Sequence, residues 1–330
     1  MDRQLDLHYR LVRTQILEGD LVPFLGAGAN LCGRPPDTRW RPGTGAFLPS
    51  GTELALYLAE KWGFPEDADP KDLVRVAEYI SVSIGAAPLY KELRRLFNAD
   101  YPPTQLHEFL ATLPRMLRER GYPAPGQLIV TTNYDDMLER SFRAVGEPFD
   151  LVTYMKIKDA PAKFLHIPFD GQQYGEPVVV SSPNVYQEIR LGPDENLARP
   201  AILKLHGWVD RIRATPEDSW VITEDHYIGY PSPPTLSNWV PQALAQELTQ
   251  SNFLFLGYSL RDWNLRVILH RIWGEQPAPF SAWAIQRNPD QLETKFWGKR
   301  NVEILDIGLD EYISGLRASF EALPQMAAAT

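Results

Sequence analysis

Short apolar runs alternate with amphipathic stretches along most of the chain. The apolar runs are rich in β-branched and aromatic side chains, which is typical of buried strands. Two runs in a loop-rich middle region, "FDLVTYMKI" (149–157) and "EPVVVSS" (176–182), are weaker strand candidates. The clearer strands are "LVPFL" (21–25), "QLIVTT" (127–132), "AILKL" (201–205), "SWVIT" (219–223), "NFLFLGY" (252–258), "SAWAIQR" (281–287) and "NVEILDI" (301–307).

Helical spacing fills the intervals between these runs. It predicts helices over residues 6–18, 260–273 and 309–323. Residues 52–120 show helical patterns and no strand candidate, so we predict a helical module inserted between residues 1–51 and 121–330. Alternating strands and helices indicate an α/β fold with a doubly wound parallel sheet. Residues 32–51, rich in proline, glycine and arginine, form a long loop of undetermined role.

Composition narrows the class of protein. A net charge of −9 over 330 residues argues against a general nucleic-acid binder, which needs clustered basic residues. The charged N-terminus is unlike a signal peptide and no apolar run is long enough to cross a bilayer, so we expect a cytoplasmic protein with no membrane contact. Cys32 alone builds neither a disulfide framework nor a cysteine zinc site, and the six histidines lack metal-ligand spacing, so no metal is expected.

Small and polar residues follow five of the predicted strands. In an open parallel sheet the carboxyl ends of the strands share one edge, and ligands bind there. The sequence therefore predicts one binding site at that edge. The residues that follow the strands are Gly26-Ala27-Gly28-Ala29-Asn30, Asn133-Tyr134-Asp135, His206-Gly207, Gly257-Tyr258-Ser259 and Arg287-Asn288.

Each of these segments also has a purely structural interpretation. The Gly26–Gly28 turn has Leu31 where a full GxGxxG fingerprint has its third glycine, so it is either a phosphate-binding turn or a plain tight turn. Asn133 and Ser259 each stand where a helix cap is expected. His206 is also compatible with a hydrogen-bonded structural histidine. A GxSxG elbow and a GxxxxGK[ST] loop are absent, which excludes the standard forms of two other α/β classes.

Taken together, the motifs resemble the Sir2 family, in particular its bacterial SIR2-like NADase branch associated with anti-phage defence. The resemblance extends over nearly the whole chain and also includes "WVITEDHY" (220–227) and "LPSGTELA" (48–55). The segments that carry it are "GAG" (26–28), "TTNYD" (131–135), "KLHG" (204–207) and "GYSLRDWNLR" (257–266).

The resemblance implies a Rossmann-like domain that binds NAD, with a smaller inserted module. Asn133 matches the family asparagine that positions water near the nicotinamide ribose, and His206 matches the family base. Asn30 and Thr132 stand where protein-deacylating members carry serine and glutamine. The residues expected at the NAD pocket, besides this catalytic pair, are Gly26, Ala27 and Gly28 at the pyrophosphate, Gly257 and Ser259 at the adenosine half, Asp135 as an orienting partner, and Asn30 and Thr132.

The same resemblance implies an NAD⁺ glycohydrolase that releases nicotinamide and ADP-ribose and depletes NAD⁺ in infected cells. Protein-deacylating sirtuins need a four-cysteine zinc module, which one cysteine cannot form, and residues 52–120 are expected to replace it. A protein deacylase and a non-catalytic module that binds NAD or ADP-ribose remain alternatives. The family further suggests a homo-oligomer and an activating partner, such as a translocase-like ATPase or an Argonaute-like protein.

Overall fold

The strands were located in a computed structural model that describes residues 3–43, 47–156, 163–192, 198–214, 216–228, 240–260, 263–274 and 280–326. Nine of the strands form one sheet, and two short ones, β7 (Gly207–Trp208) and β8 (Ser219–Trp220), pair separately. The strands of the large sheet are β1 (Leu21–Leu25), β2 (Leu128–Thr131), β3 (Phe149–Met155), β4 (Lys163–Phe169), β5 (Val178–Val180), β6 (Ala201–Lys204), β9 (Asn252–Leu256), β10 (Ala282–Ile285) and β11 (Val302–Leu305).

Helices surround this sheet. Residues 27–31 and 183–185 form short 3₁₀ helices. The α-helices in the described residues are α1 (Arg3–Glu18), α2 (Gly51–Trp62), α3 (Leu73–Ile84), α4 (Ala86–Phe97), α5 (Gln105–Glu119), α6 (Met137–Ala144), α7 (Glu224–Ile228), α8 (Gln242–Gln250), α9 (Trp263–Trp273), α10 (Gln291–Gly298) and α11 (Leu309–Glu321).

The order of the strands is β11-β10-β9-β1-β2-β6-β3-β4-β5. The first seven in this order run parallel, whereas β4 is antiparallel to both of its neighbours. From β1 the chain continues on one side to β2 and later returns on the other side to β9, so the sheet has its topological switch between β1 and β9. The predicted doubly wound, Rossmann-like sheet is confirmed, with an added antiparallel edge.

Both faces of the sheet are covered by helices. Side chains alternate along β1: Leu21 and Leu25 join the core beneath α1, α5, α6 and α11, while Val22 and Phe24 join the core beneath α8, α9 and α10. Because all five residues of β1 are buried, its near-continuous apolar run is the pattern of a central parallel strand.

The helical stretch predicted between residues 52 and 120 is occupied by α2 to α5. Helices α2, α3 and α4 pack around a third core of their own, which also takes in Trp40, Tyr134 and Trp220. Helix α5 instead packs on the sheet through residues such as Leu106 and Phe109. The division of the chain at residues 52 and 120 stays a prediction, and the packing shows that α5 belongs to the layer that covers the sheet.

Two strands escaped the sequence analysis. In β4 the apolar run is broken by His166 and Pro168, and β7 has two residues, of which Gly207 has a φ of +83°. The strand expected over 219–223 ends at Trp220, because Thr223 caps helix α7 immediately afterwards. Part of the helix expected from residue 260 lies outside the described residues, at positions 261 and 262.

Candidate active site

The strand register brings four of the predicted segments to one edge of the sheet. Leu25 is paired with Thr131 of β2 on one side and with Leu256 of β9 on the other, and Thr131 is paired with Lys204 of β6. The residues that follow these four strands therefore stand side by side. We call this edge, formed by residues 26–30, 132–135, 205–207 and 257–259, the C-terminal rim.

The glycine turn after β1 packs directly against the turn after β9. Gly28 N donates a 2.8 Å hydrogen bond to Gly257 O, and a Cβ added to Gly28 would lie 2.7 Å from that oxygen. Gly257 has a φ of +72°, and its added Cβ would lie 2.1 Å from Ala29 N. Both glycines are therefore required by backbone packing, and the turn leads into a five-residue 3₁₀ helix, Ala27–Leu31.

Tyr258 bridges the rim across this glycine turn. Its hydroxyl and Thr132 Oγ1 are 2.6 Å apart, which links the turn after β9 to the turn after β2. A Cβ added to Gly26 would lie 2.9 Å from Tyr258 Cγ, so the ring rests on that glycine. Ser259, the next residue, is exposed. Thr132 is thus held by the hydroxyl of Tyr258, a contact that the sequence analysis did not predict.

Asn133 is buried against the glycine turn. Its Nδ2 donates to Gly26 O at 3.1 Å, and its backbone N–H donates to Thr131 Oγ1 at 3.0 Å. Helix α6 begins at Met137, and the carboxylate of Asp135, not the amide of Asn133, accepts the Met137 N–H. The interpretation of Asn133 as a helix cap is therefore wrong. An amide offers both donors and an acceptor, which suits the placement of a water or a hydroxyl.

Asn30 and Asp135 face each other within the C-terminal rim. Asn30 Nδ2 donates to Asp135 Oδ2 at 2.8 Å, and both residues are more than nine-tenths buried. Lys204 Nζ donates to the backbone carbonyl of Asp135 and lies 3.0 Å from Glu139 Oε1. Burial raises the pKa of Glu139 more than Lys204 lowers it. Asp135 is thus fixed at its side chain and at its carbonyl by separate partners.

His206 lies in the turn that follows β6, two residues after Lys204. Its Nδ1 is 3.4 Å from the hydroxyl of Tyr227, and the two rings meet edge to face at 5.3 Å. Burial lowers the pKa of His206 to about 3, so the imidazole is neutral at physiological pH. A neutral imidazole accepts a hydrogen bond readily but holds a proton weakly. The contact with Tyr227 was not foreseen, although Tyr227 ends the "WVITEDHY" segment.

Tyr134 turns away from the site, between Asn133 and Asp135. Its hydroxyl donates to Val221 O at 2.7 Å, and its ring packs on Phe97 and Trp220 at centroid distances of 5.5 and 5.1 Å. Phe97 belongs to α4 and Trp220 to β8. Asn133 and Asp135 thus both contact the segment that follows β1, whereas Tyr134 between them contacts α4 and β8.

The loop before α2 is anchored by Glu53. This carboxylate accepts hydrogen bonds from the Arg34 guanidinium and from the backbone N–H groups of Trp40 and Ser50. Although burial alone would raise the pKa of Glu53, these donors lower it to about 2. Ser50 and Glu53 also form a capping box at the start of α2. The "LPSGTELA" segment thus fixes Arg34 and Trp40 of the preceding loop to the start of α2.

The described residues give little support to a metal site, a cysteine nucleophile or a membrane-spanning helix. Among them, no group of three or more His, Cys, Asp and Glu side chains is arranged to hold a metal ion. Cys32 is buried, and burial raises the pKa of its thiol to about 12, so it is not an activated nucleophile. In the same residues, none of the helices combines the length and apolar character needed to span a bilayer.

A family model described as the SIR2-like domain matches residues 127–305, which is more than half of the chain. The chain belongs to the SIR2-like family. The resemblance seen in the sequence motifs is thereby confirmed. The matched range of this SIR2-like chain includes Asn133, His206 and Gly257, whereas the glycine turn at 26–28 precedes it.

A curated relative of the SIR2-like chain is NAD(+) hydrolase ThsA from Acinetobacter baumannii (strain 532279). The two are 28% identical over 237 residues, which cover 70% of this chain. The chain spans 38% of the length of that relative.

Proposed function

We propose that this chain hydrolyses NAD⁺ at the nicotinamide–ribose bond and releases nicotinamide and ADP-ribose. The observation that carries the proposal is the hydrogen bond from Asn133 to Gly26 O, which sets a buried carboxamide against the glycine turn at the topological switch of the sheet. The similarity to an NAD(+) hydrolase supports the choice of NAD⁺ as the substrate.

In this proposal the dinucleotide lies along the C-terminal rim. The pyrophosphate approaches the turn of Gly26, Ala27 and Gly28, and the adenosine half lies towards Gly257 and Ser259. Because the Gly28 N–H already donates to Gly257 O, these glycines contribute mainly by permitting close approach. The nicotinamide ribose lies towards the turns after β2 and β6.

Bond cleavage passes through an oxocarbenium-like state in which positive charge develops on the ribose. Nicotinamide leaves as a neutral molecule, so an acid is not needed for its departure. We assign Asn133 to the placement of the attacking water. The low pKa of His206 keeps its imidazole neutral, so that it can accept a hydrogen bond from a ribose hydroxyl or from this water. The role of base, which takes up the proton that the water loses, is assigned to His206 from the resemblance of the motifs. Asp135, Asn30 and Thr132 hold the surrounding turns.

We further propose that the enzyme acts in anti-phage defence by depleting NAD⁺, and that it does so as a homo-oligomer under the control of an activating partner. The support is the resemblance of the motifs to the bacterial SIR2-like branch. A hydrolase of a central cofactor must be held inactive in healthy cells, which implies such control.

The test is to incubate the protein with NAD⁺, alone and with the products of its neighbouring genes, and to quantify nicotinamide and ADP-ribose. Asn133→Ala and His206→Ala should each abolish release while the thermal unfolding transition is kept. Asn98→Ala and His270→Ala are matched controls, since both side chains are exposed. Full activity in either site variant refutes the assignment. Tight NAD⁺ binding without release indicates a binding module, and O-acyl-ADP-ribose formed from an acylated peptide indicates a deacylase.

A further inference from the structure

Helix α7 connects the predicted catalytic histidine with the helices before it in the chain. Its consecutive residues His226 and Tyr227 make contacts in different directions. Tyr227 contacts His206 at the C-terminal rim, whereas His226 contacts Tyr90 of α4. The segment "WVITEDHY" (220–227), which includes most of α7, is one of the motifs that resemble the SIR2-like branch, but the proposed chemistry does not use it.

The contact between His226 and Tyr90 has a defined direction. His226 Nδ1 accepts backbone N–H groups of Ile222 at 3.2 Å and Thr223 at 3.4 Å. Burial lowers the pKa of His226 to about 4, so the ring is neutral and carries its proton on Nε2. Nε2 therefore donates to the Tyr90 hydroxyl, 3.0 Å away. The imidazole thus joins the start of α7 to α4.

A second contact ties α7 to α3. The backbone N–H of Asp225 donates to Glu78 Oε2 at 3.3 Å. The first turn of α7 is closed by Thr223, whose Oγ1 accepts the His226 N–H at 3.3 Å. Two neighbouring helices therefore hold α7: the side chain of Tyr90 in α4 contacts His226, and the side chain of Glu78 in α3 accepts the N–H of Asp225.

On the opposite side, α7 and the residue that follows β8 together hold His206. Val221 N donates to His206 O at 2.9 Å, which fixes the backbone. The Tyr227 hydroxyl faces Nδ1 and its ring meets the imidazole edge to face, which fixes the tilt of the ring. When Nδ1 carries the proton and donates to Tyr227 Oη, Nε2 keeps its lone pair, and this is the tautomer that a base or hydrogen-bond acceptor requires.

We propose that Tyr227 is a positioning residue that sets the tilt and tautomer of His206, and that α7 transmits the position of α3 and α4 to it. The inference rests on the proposed function for the role of His206. A displacement of α3 and α4 reaches His206 through Tyr90, His226 and Tyr227.

The test compares Tyr227→Phe and Tyr90→Phe with the matched control Tyr186→Phe. Tyr186 also contacts a histidine through its hydroxyl, 2.7 Å from His166 Nδ1, but it lies beside the β3–β4 edge of the sheet. Two properties are measured: nicotinamide release, as kcat and KM separately, and the imidazole NMR signals of histidine-labelled protein, with His206 assigned from His206→Gln.

Tyr227→Phe should move the His206 signals and lower kcat about two- to tenfold with little change in KM, which is the range expected for one lost hydrogen bond. Tyr90→Phe should shift the same signals in the same direction by less, and Tyr186→Phe should leave them and kcat unchanged. Unmoved His206 signals in Tyr227→Phe overturn the positioning role, and unmoved signals in Tyr90→Phe overturn the transmission. If the wild type releases no nicotinamide, the proposed function fails while the NMR comparison still decides this inference.

Discussion

Asn30 and Asp135, 105 positions apart in the chain, are joined by a 2.8 Å hydrogen bond from the Asn30 amide to the Asp135 carboxylate. This bond links the 3₁₀ helix after β1 to the turn after β2. Asn30 stands where the protein-deacylating members of the family carry serine. In this chain the Asn30 amide donates to a buried carboxylate, which gives the asparagine a structural role.

Asn30→Asp should make activity depend strongly on pH. The substitution puts two carboxylates at hydrogen-bonding distance, and their repulsion raises the pKa of one of them. At low pH the two can share a proton and keep the contact, whereas at high pH both are charged and repel each other. NAD⁺ hydrolysis by the variant, relative to wild type, should fall more at pH 8 than at pH 6. Asn98→Asp on the surface is the control. An equal loss at both pH values would contradict the pairing.

Gly257→Ala should prevent the two turns from packing together. The added methyl group would lie 2.1 Å from Ala29 N, and the alanine would have to adopt the left-handed φ of Gly257. We therefore expect loss of soluble folded protein or a large drop in unfolding temperature. Gly63→Ala is the matched control, because Gly63 has a φ of +63° and among the described residues no atom lies within 4 Å of its added Cβ. That variant should lose only about 1–2 kcal/mol. Equal losses would show that the close approach is unimportant.

Lys204→Met should destabilise the fold by about 3–5 kcal/mol, because it leaves the buried Glu139 carboxylate without its cation. Adding Glu139→Gln should recover much of the loss. Urea unfolding of both single variants and the double variant at pH 8 gives the coupling energy directly. Additive losses in this cycle would mean that the two side chains do not interact.

Stability should fall between pH 6.5 and pH 4. Burial lowers the pKa of His107 to about 4 and that of His206 to about 3, so the unfolded chain binds more protons in this window and acid favours unfolding. At pH 5 each contributes at most about 2 kcal/mol to this loss. His107→Gln, which can keep the capping box with Thr104, should flatten the dependence, measured by urea unfolding.

The exposed His270→Gln is the control and should leave the profile unchanged. Glu53, with a pKa of about 2, loses its contribution only below about pH 4.5. Glu139, whose pKa is raised by burial, has the opposite effect on stability, but it does so in the wild type and in His107→Gln alike, so the comparison of the two isolates the histidine. A flat profile between pH 7 and pH 5 would contradict the neutral burial of these histidines.

The parallel core of the fold was predictable because its strands are continuous apolar runs. The predicted strand over residues 21–25 has the same first and last residues as β1, because every side chain of this central strand is buried and apolar. The antiparallel edge was less predictable. His166 of β4 is buried and forms hydrogen bonds with Asp150 and Tyr186. A buried polar residue of this kind breaks the apolar pattern, so the sequence alone does not indicate the strand.

The placement of the predicted site residues at one edge of the sheet was predictable, but the contacts between them were not. The positions of Asn133, His206 and Gly257 follow from strand ends that share an edge, which is a property of local sequence and fold class. The pairing of Asn30 with Asp135, the bridge from Tyr258 to Thr132, and the contact of Tyr227 with His206 join segments far apart in the chain. Local patterns carry no information on such pairs.

Tyr134 bears on how this molecule can be recombined with its relatives. Its ring belongs to the core of α2, α3 and α4, while its neighbours Asn133 and Asp135 belong to the C-terminal rim. Helices α2, α3 and α4 therefore cannot be replaced independently of the C-terminal rim. A chimera that grafts these helices from another protein must also bring side chains that fit the Tyr134 ring at Phe97 and Trp220, or the graft will displace the asparagine beside it.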